Sequence, residues 1–285
     1  MITDPETFAK TLTSDLRQDS HDKHFFVQYS KLPLIAPTEE DEKKQQQEDN
    51  YHNSLENFGF EKVSRFSGNV GYLDYRGFAD PKASAETLAA AMTFLTNTNA
   101  LIIDLRGNRG GDPAMVELFC SYFFEKKTKI GDFYYRDTGV TEESWTLEAV
   151  AGKRYVGKDV YVLTNKASFS AAEAFAYMLQ SRKAATVVGE TTGGAANPET
   201  EVRLDDHFSL FVPHGKVTDT VTETNWEGVG VNPNVEVSSA RAFTKAYLMA
   251  LKKNLKNRNH SDLSDSELHE KLATLENELH RAGGQ

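Results

Sequence analysis

Hydrolysis at a side chain needs a nucleophile, a base and a place for negative charge. The chain offers candidates for each. Ser170 stands between the apolar run "YVLTN" and the helical pattern "AAEAFAYML". A serine where a strand gives way to a helix can be an exposed nucleophile, and the first amides of that helix point at any oxyanion formed beside it. The same residues, Ser170-Ala171-Ala172-Glu173, also spell a capping box in which serine and glutamate satisfy the helix's first amides. Residue type alone therefore leaves capping and attack both open, and a base must decide. There are eight histidines. His260, His269 and His280 fall in a helical tail, His52 in a charged segment, and His207 and His214 beside an edge-strand pattern. His21 and His24 stand together in "DSHDKHFF". With Ser20, Asp19 and Asp22 alongside, that pair has the residue types of a metal site. It lacks a motif such as H-E-x-x-H, and neither metal nor cofactor is expected.

The elements that must position these residues follow from periodicity. Residues 4–18 read as a helix: Asp4 can cap it, Pro5 suits its first turn, and Phe8, Leu12 and Leu16 recur at i, i+4, i+8. A short strand follows "DSHDKH". Residues 36–54, "APTEEDEKKQQQEDNYHNS", are a solvated helix or mobile segment without chemistry. From Phe58 the pattern alternates: strands about a turn at Ser67-Gly68-Asn69, an Ala-rich helix, a buried strand from Leu101 to Leu105, a helix opened by Pro113, the strand "DVYVLTN", the Ser170 helix, then "ATVVGETTGGAANP". Such alternation predicts an α/β core with a mainly parallel sheet and flanking helices. "HFSLFVPHGKVTD" adds strand residues near the sheet edge. The expected organisation is a truncated helical N-terminal segment with a charged linker (residues 1–57), a core (58–240) and C-terminal helices (241–285). In the last of these, Ser264 and Glu267 make a capping box, and Leu268, Leu272, Leu275 and Leu279 form a seam. The seam docks on the domain or pairs with another chain, so a homo-oligomer through the C-terminal helices stays open.

Three turns follow predicted strands: "RGNRGGDP", "NKASFSAAE" and "GETTGGAANP". In α/β sheets the carboxyl ends of the strands share one crevice, where ligands bind. Neither glycine turn has a phosphate-loop or dinucleotide pattern. Net charge is −10 with a pI of about 5.4, which argues against nucleic acid or anionic membrane as partner. The single cysteine, Cys120, allows no intrachain disulfide and reads as packing. No apolar run reaches the roughly 18 residues of a membrane helix. No signal peptide is visible; the expected compartment is periplasmic or secreted if a preceding part carried a signal, and cytoplasmic otherwise.

"GYLDYRGFAD", "ALIIDLRGNRGGDPAMV", "YVLTNKASFSAAEAFAY", "VVGETTGGAANP" and "NWEGVGVNPNVEV" occur in this order. Together they resemble the tail-specific (C-terminal processing) serine peptidase superfamily, in the branch similar to the interphotoreceptor retinoid-binding protein repeats and the tricorn protease core, over roughly residues 15–240. The resemblance implies a ClpP/crotonase-like spiral fold, without a PDZ-type insertion, and hydrolysis of a peptide or protein through an acyl-enzyme at Ser170. The processing peptidases pair their serine with a lysine about 25 residues on. Here that position is Ala195, so the Ser-Lys dyad is absent. A tricorn-like tetrad of Ser20, His21, Ser170 and Glu227 is implied instead, with Ala171 and Gly110 or Gly111 as oxyanion hole. Asp104 and Arg106 are expected to support their turn. The alternative is a non-catalytic module holding a retinoid- or fatty-acid-like ligand among Phe25, Phe26, Phe208, Phe211 and Trp226.

Overall fold

The computed structural model describes residues 2–35, 38–256 and 262–281. Helix α1 (Pro5–Ser20) starts where Asp4 accepts from the Thr7 amide (2.8 Å) and stops at His21, whose backbone is left-handed (φ 57°). Strand β1 (Phe26–Tyr29) is tied back to it by the Val27 amide donating to Thr13 Oγ1 (2.9 Å). Helix α2 (Glu39–Leu55) buries no residue, in keeping with a sequence that is polar around the whole helix.

The core begins with the hairpin β2 (Phe60–Phe66) and β3 (Val70–Tyr75). It continues with α3 (Pro81–Leu95), β4 (Ala100–Asp104), α4 (Pro113–Cys120), the antiparallel pair β5 (Lys129–Tyr135) and β6 (Thr141–Trp145), β7 (Asp159–Thr164), α5 (Ala171–Ser181) and β8 (Thr186–Gly189). Then come β9 (Glu199–Arg203), β10 (Phe208–Pro213), β11 (Gly215–Thr218), β12 (Val235–Glu236), α6 (Ser239–Lys256) and α7 (Asp265–Arg281). The main sheet has the order β12-β8-β7-β4-β3-β2, parallel except for the edge strand β2. The mixed α/β core with a mainly parallel sheet is thus present.

Period-two alternation splits the core into two layers. Leu73, Leu101, Ile103 and Val162 pack with α3, α4 and α5, whereas Tyr72, Ile102, Tyr161 and Leu163 pack with α6 and α7. Both faces of the sheet are covered, which is why its strands are near-continuous apolar runs. On the second face Leu268, Leu272 and Leu275 of α7 are buried with α6.

Residues 208–218 differ from the expected sheet edge. They form two strands in two separate sheets, β1-β10-β9 and β11-β5-β6. Pro213, lacking an amide, closes the β10 ladder opposite Glu199, and Gly215 opens β11. The consequence is functional: β10 holds β1, and with it the segment carrying His21 and His24, above the crevice.

Candidate active site

Strands β4, β7 and β8 end level with one another, Asp104 opposite Leu163 and Thr164 opposite Gly189. Their following turns therefore meet at one edge. Ser170 lies in the second turn with φ 52° and ψ −119°, a backbone region that side chains other than hydrogen rarely occupy. The strain is held by Glu173, which is fully buried. Its carboxylate accepts from the Ser170 amide (2.9 Å), the Gly194 amide (2.6 Å), the Ala195 amide (2.9 Å) and Thr192 Oγ1 (2.5 Å). The glutamate of the capping box is thus a clasp between the Ser170 turn and the 192–195 turn. Ala195, where the dyad lysine would stand, is buried, and its carbonyl accepts from Trp226 Nε1 (2.9 Å).

The first turn approaches from the other side. Asn108 anchors it: its Nδ2 donates to the Tyr75 carbonyl (3.0 Å), its Oδ1 accepts from the Gly110 amide (2.8 Å), and its carbonyl accepts from the Phe169 amide (3.1 Å). A Cβ on Gly110 would lie 2.8 Å from both Ser170 Cβ and the Ala171 nitrogen, and one on Gly111 2.1 Å from the Phe78 carbonyl oxygen. Both glycines are required by close approach as well as by φ of +99° and +136°. The Gly110 amide already donates to Asn108. The amides of Gly111 and Ala171 donate to no protein group among the described residues, and both residues line the cavity of about 250 Å³ that holds Ser170. Asp104 and Arg106 do support their turn: two charge-assisted bonds join them (2.8 and 2.5 Å), and Arg106 Nη1 donates to the Ser239 carbonyl (2.6 Å).

The histidine lining that cavity is His24, buried and 5.4 Å ring-to-ring from Phe169. Its amide donates to Asp22 Oδ1 (2.9 Å), a turn that points the imidazole inward, and its Nδ1 lies 3.4 Å from the same oxygen. Asp22 is buried too, and Asn197 Nδ2 donates to its other oxygen (3.0 Å). Glu227 comes from the loop before β12. Its Oε2 accepts from the amides of Ala196 (2.6 Å) and Asn197 (3.1 Å), while its Oε1 is buried without a partner. One donor atom from each of Asp22, His24 and Glu227 lies within 4.8 Å of the other two. Burial works against a charged imidazole, but the Asp22 carboxylate beside it, with the charges of Glu199 and Glu227, more than offsets this and holds His24 above its ordinary value. Burial likewise opposes charge on Asp22, yet the donors from His24 and Asn197 keep its carboxyl below the usual range.

Ser170, Glu227, Gly110, Gly111 and Ala171 are therefore brought together. Ser20 and His21 lie elsewhere: both are exposed at the end of α1, where Ser20 Oγ donates to the Leu16 carbonyl (2.7 Å) and accepts from the Asp22 amide (3.1 Å). Neither lines the cavity. His24, Asp22 and Glu173 were not singled out for these positions by the sequence reading. The signal for His24 is the Asp-x-His spacing, since a carboxylate accepting from the amide two residues on makes a turn. The aromatic set is divided: Trp226 lines the small cavity, Phe26 and Phe211 line a neighbouring cleft, and Phe208 packs on Phe8 and Tyr29.

The peptidase family S41 pattern matches residues 69–237, more than half of the chain. A carboxyl-terminal-processing peptidase 2 of Arabidopsis thaliana chloroplasts is 29% identical over 177 residues, covering 59% of this chain and 32% of that protein. The processing protease CtpA of Bacillus subtilis is 29% identical over 138 residues, covering 48% and 28%. The chain thus spans about a third of the length of these curated relatives. Among solved structures, a candidate peptidase from Parabacteroides merdae superposes with a TM-score of 0.57 at 22% identity, covering 83% of this chain and 77% of that one. The photosystem II D1 C-terminal processing protease superposes at 0.50 and 20% identity, covering 60% and 42%. These likenesses show a shared fold, and the extent of the sequence match carries the rest: the chain belongs to peptidase family S41.

Proposed function

We propose that the chain is a serine peptidase in which Ser170 is the nucleophile, His24 the general base, and Asp22 and Glu227 the carboxylates that orient the imidazole. The tetrad implied by the sequence is kept in Ser170 and Glu227 and changed in its Ser20–His21 half. The observation that carries this reading is the strained Ser170 turn opening on one small cavity with a buried, carboxylate-flanked His24.

The chemistry runs in two halves. Ser170 Oγ attacks the peptide carbonyl carbon as His24 takes its proton, and the carbonyl oxygen becomes an oxyanion facing the Gly111 and Ala171 amides. Collapse breaks the C–N bond; the leaving amine takes the proton from His24, and an ester remains on Ser170. A water then attacks that ester with His24 again as base, which frees the carboxylic product and returns the proton to Ser170. Asp22 and Glu227 favour the imidazolium that forms in each half.

A fluorophosphonate probe tests this directly. It should label Ser170 in the wild type, in His21→Ala and in the presence of a chelator, and should fail to label His24→Ala. Labelling lost in His21→Ala but kept in His24→Ala would overturn the assignment of the base. Chelator sensitivity would favour a metal on Asp22, His24 and Glu227.

A further inference from the structure

The cavity holding Ser170 opens into a larger cleft of about 770 Å³, and His24 and Glu199 line both. Four cations line the cleft: Arg17, Lys23, Arg109 and Lys166. None forms an ion pair among the described residues, whereas Arg65, Arg76, Arg106, Arg182 and Lys129 all do. Two of the four are held in place by backbone. Arg17 Nε donates to the Phe25 carbonyl (2.7 Å), and Lys23 Nζ donates to the carbonyl of Gly193, in the turn that Glu173 clasps. These bonds fix position without an acidic partner; Glu199, the carboxylate in the lining, offsets part of the Arg17 charge and leaves the cleft with an excess of cations. The rest of the molecule has the opposite sign, since net charge is −10. Phe26 and Phe211 pack together on one wall, ring centroids 6.0 Å apart.

We propose that this cleft is a specificity subsite that takes an acidic stretch of the peptide substrate, with Asp or Glu side chains on Arg17, Lys23, Arg109 and Lys166 and an apolar side chain over Phe26 and Phe211. The inference rests on the peptidase reading above. Unpaired cations facing a partly enclosed volume attract carboxylates more strongly than the same cations in open water. An acidic peptide is repelled by the net negative surface and drawn to this positive concavity, which leads to the proposed nucleophile. A nucleic acid has the right charge for the cleft, but it continues as a polyanion over a surface whose net charge is negative.

The test uses two fluorescent decapeptides, one with four glutamates and one with glutamine at the same places. Anisotropy measures their binding to the full chain carrying Ser170→Ala. The glutamate peptide should bind at least about tenfold tighter, and the advantage should fade between ~0.05 M and ~0.5 M salt. It should vanish in Arg109→Glu/Lys166→Glu. Both positions are exposed, so melting temperature should be unchanged, and Arg109→Gln/Lys166→Gln gives the milder control. Equal affinities, a preference surviving charge reversal, or binding of an oligothymidylate in place of the peptide would overturn the proposal. Fluorophosphonate labelling of the wild type separates the two readings. Labelling and cleavage without an acidic preference sink the subsite alone; acidic binding without labelling sinks the peptidase and leaves the cleft as a peptide-binding site.

Discussion

At the scale of single residues, Ser170 combines reactivity with strain, and substitution can separate them. Ser170→Ala and Ser170→Gly should both be inactive. Glycine adopts positive φ without the Cβ penalty, so Ser170→Gly should be more stable than Ser170→Ala by about 1 kcal/mol, measured by urea unfolding. Equal stabilities would mean that the turn stores no strain. His24 gives a second expectation. Because its imidazole is held above the ordinary value of about 6.5, the base form appears only above that pH, and kcat should rise through a correspondingly alkaline limb. The stability this histidine contributes has the opposite sense: it is fully present below about 6.5 and lost as pH rises through the raised folded value. Asp22→Asn should move the kinetic limb to lower pH and reduce kcat by about 10- to 100-fold. A limb that stays in place would deny Asp22 its role. The proposed nucleophile and the Gly110–Gly111 turn stand out in the sequence because each follows a buried strand, whereas Glu227, in the loop before β12, is implied by the resemblance alone. The choice between His21 and His24 was not legible. It depends on where α1 stops, and one left-handed residue at His21 sends that side chain to solvent and its neighbour three residues on to the crevice.

At the scale of elements, two strand-to-helix turns and the β8–β9 turn are fastened to one another, and the fastenings are local polar groups that periodicity does not reveal. Glu173 reads from sequence as a cap; in the fold it binds four donors from two turns. Removing a buried carboxylate that serves four donors leaves them unsatisfied. Glu173→Ala should therefore cost several kcal/mol, on the order of 3, and lower labelling of Ser170 even where the protein is still folded. Retention of wild-type stability would show the clasp to be dispensable. Gly110→Ala acts on the same junction from the other turn. Its Cβ would sit 2.8 Å from that of Ser170, so kcat should fall by at least about 10²-fold with KM little changed. The strands and helices of the core were readable because both faces of the sheet are buried and the chain alternates regularly. Strands β6 and β9 are not legible, since "TEESW" and "ETEVR" are largely exposed and carry little apolar signal; β5 was missed although its aromatic residues are mostly half-buried.

At the scale of the whole molecule, the proposed base and nucleophile belong to different layers. Ser170 stands on the six-stranded sheet, whose core is covered on both faces. His24 rides on the turn between α1 and β1, beside the three-stranded sheet β1-β10-β9 outside that core. The union depends on a few polar contacts, chiefly Asn197 Nδ2 to Asp22 (3.0 Å) and Lys23 to the Gly193 carbonyl, and on the ladder between β1 and β10. Val27 and Ala9 are the buried aliphatic residues of the α1–β1 unit, too little apolar surface to match the main core, at roughly 1.5–3 kcal/mol for a fully buried large side chain. Local opening is governed by such differences in contact density. We predict that activity is lost at lower urea concentration than helical circular dichroism, because the α1–β1 layer lifts away and removes His24 while the sheet stays folded. Asn197→Ala should widen the gap between the two midpoints by loosening Asp22, and a disulfide engineered between β1 and β10 should narrow it. Coincident midpoints in the wild type and in Asn197→Ala would show that the two layers unfold as one cooperative unit and that the base is as firmly placed as the nucleophile.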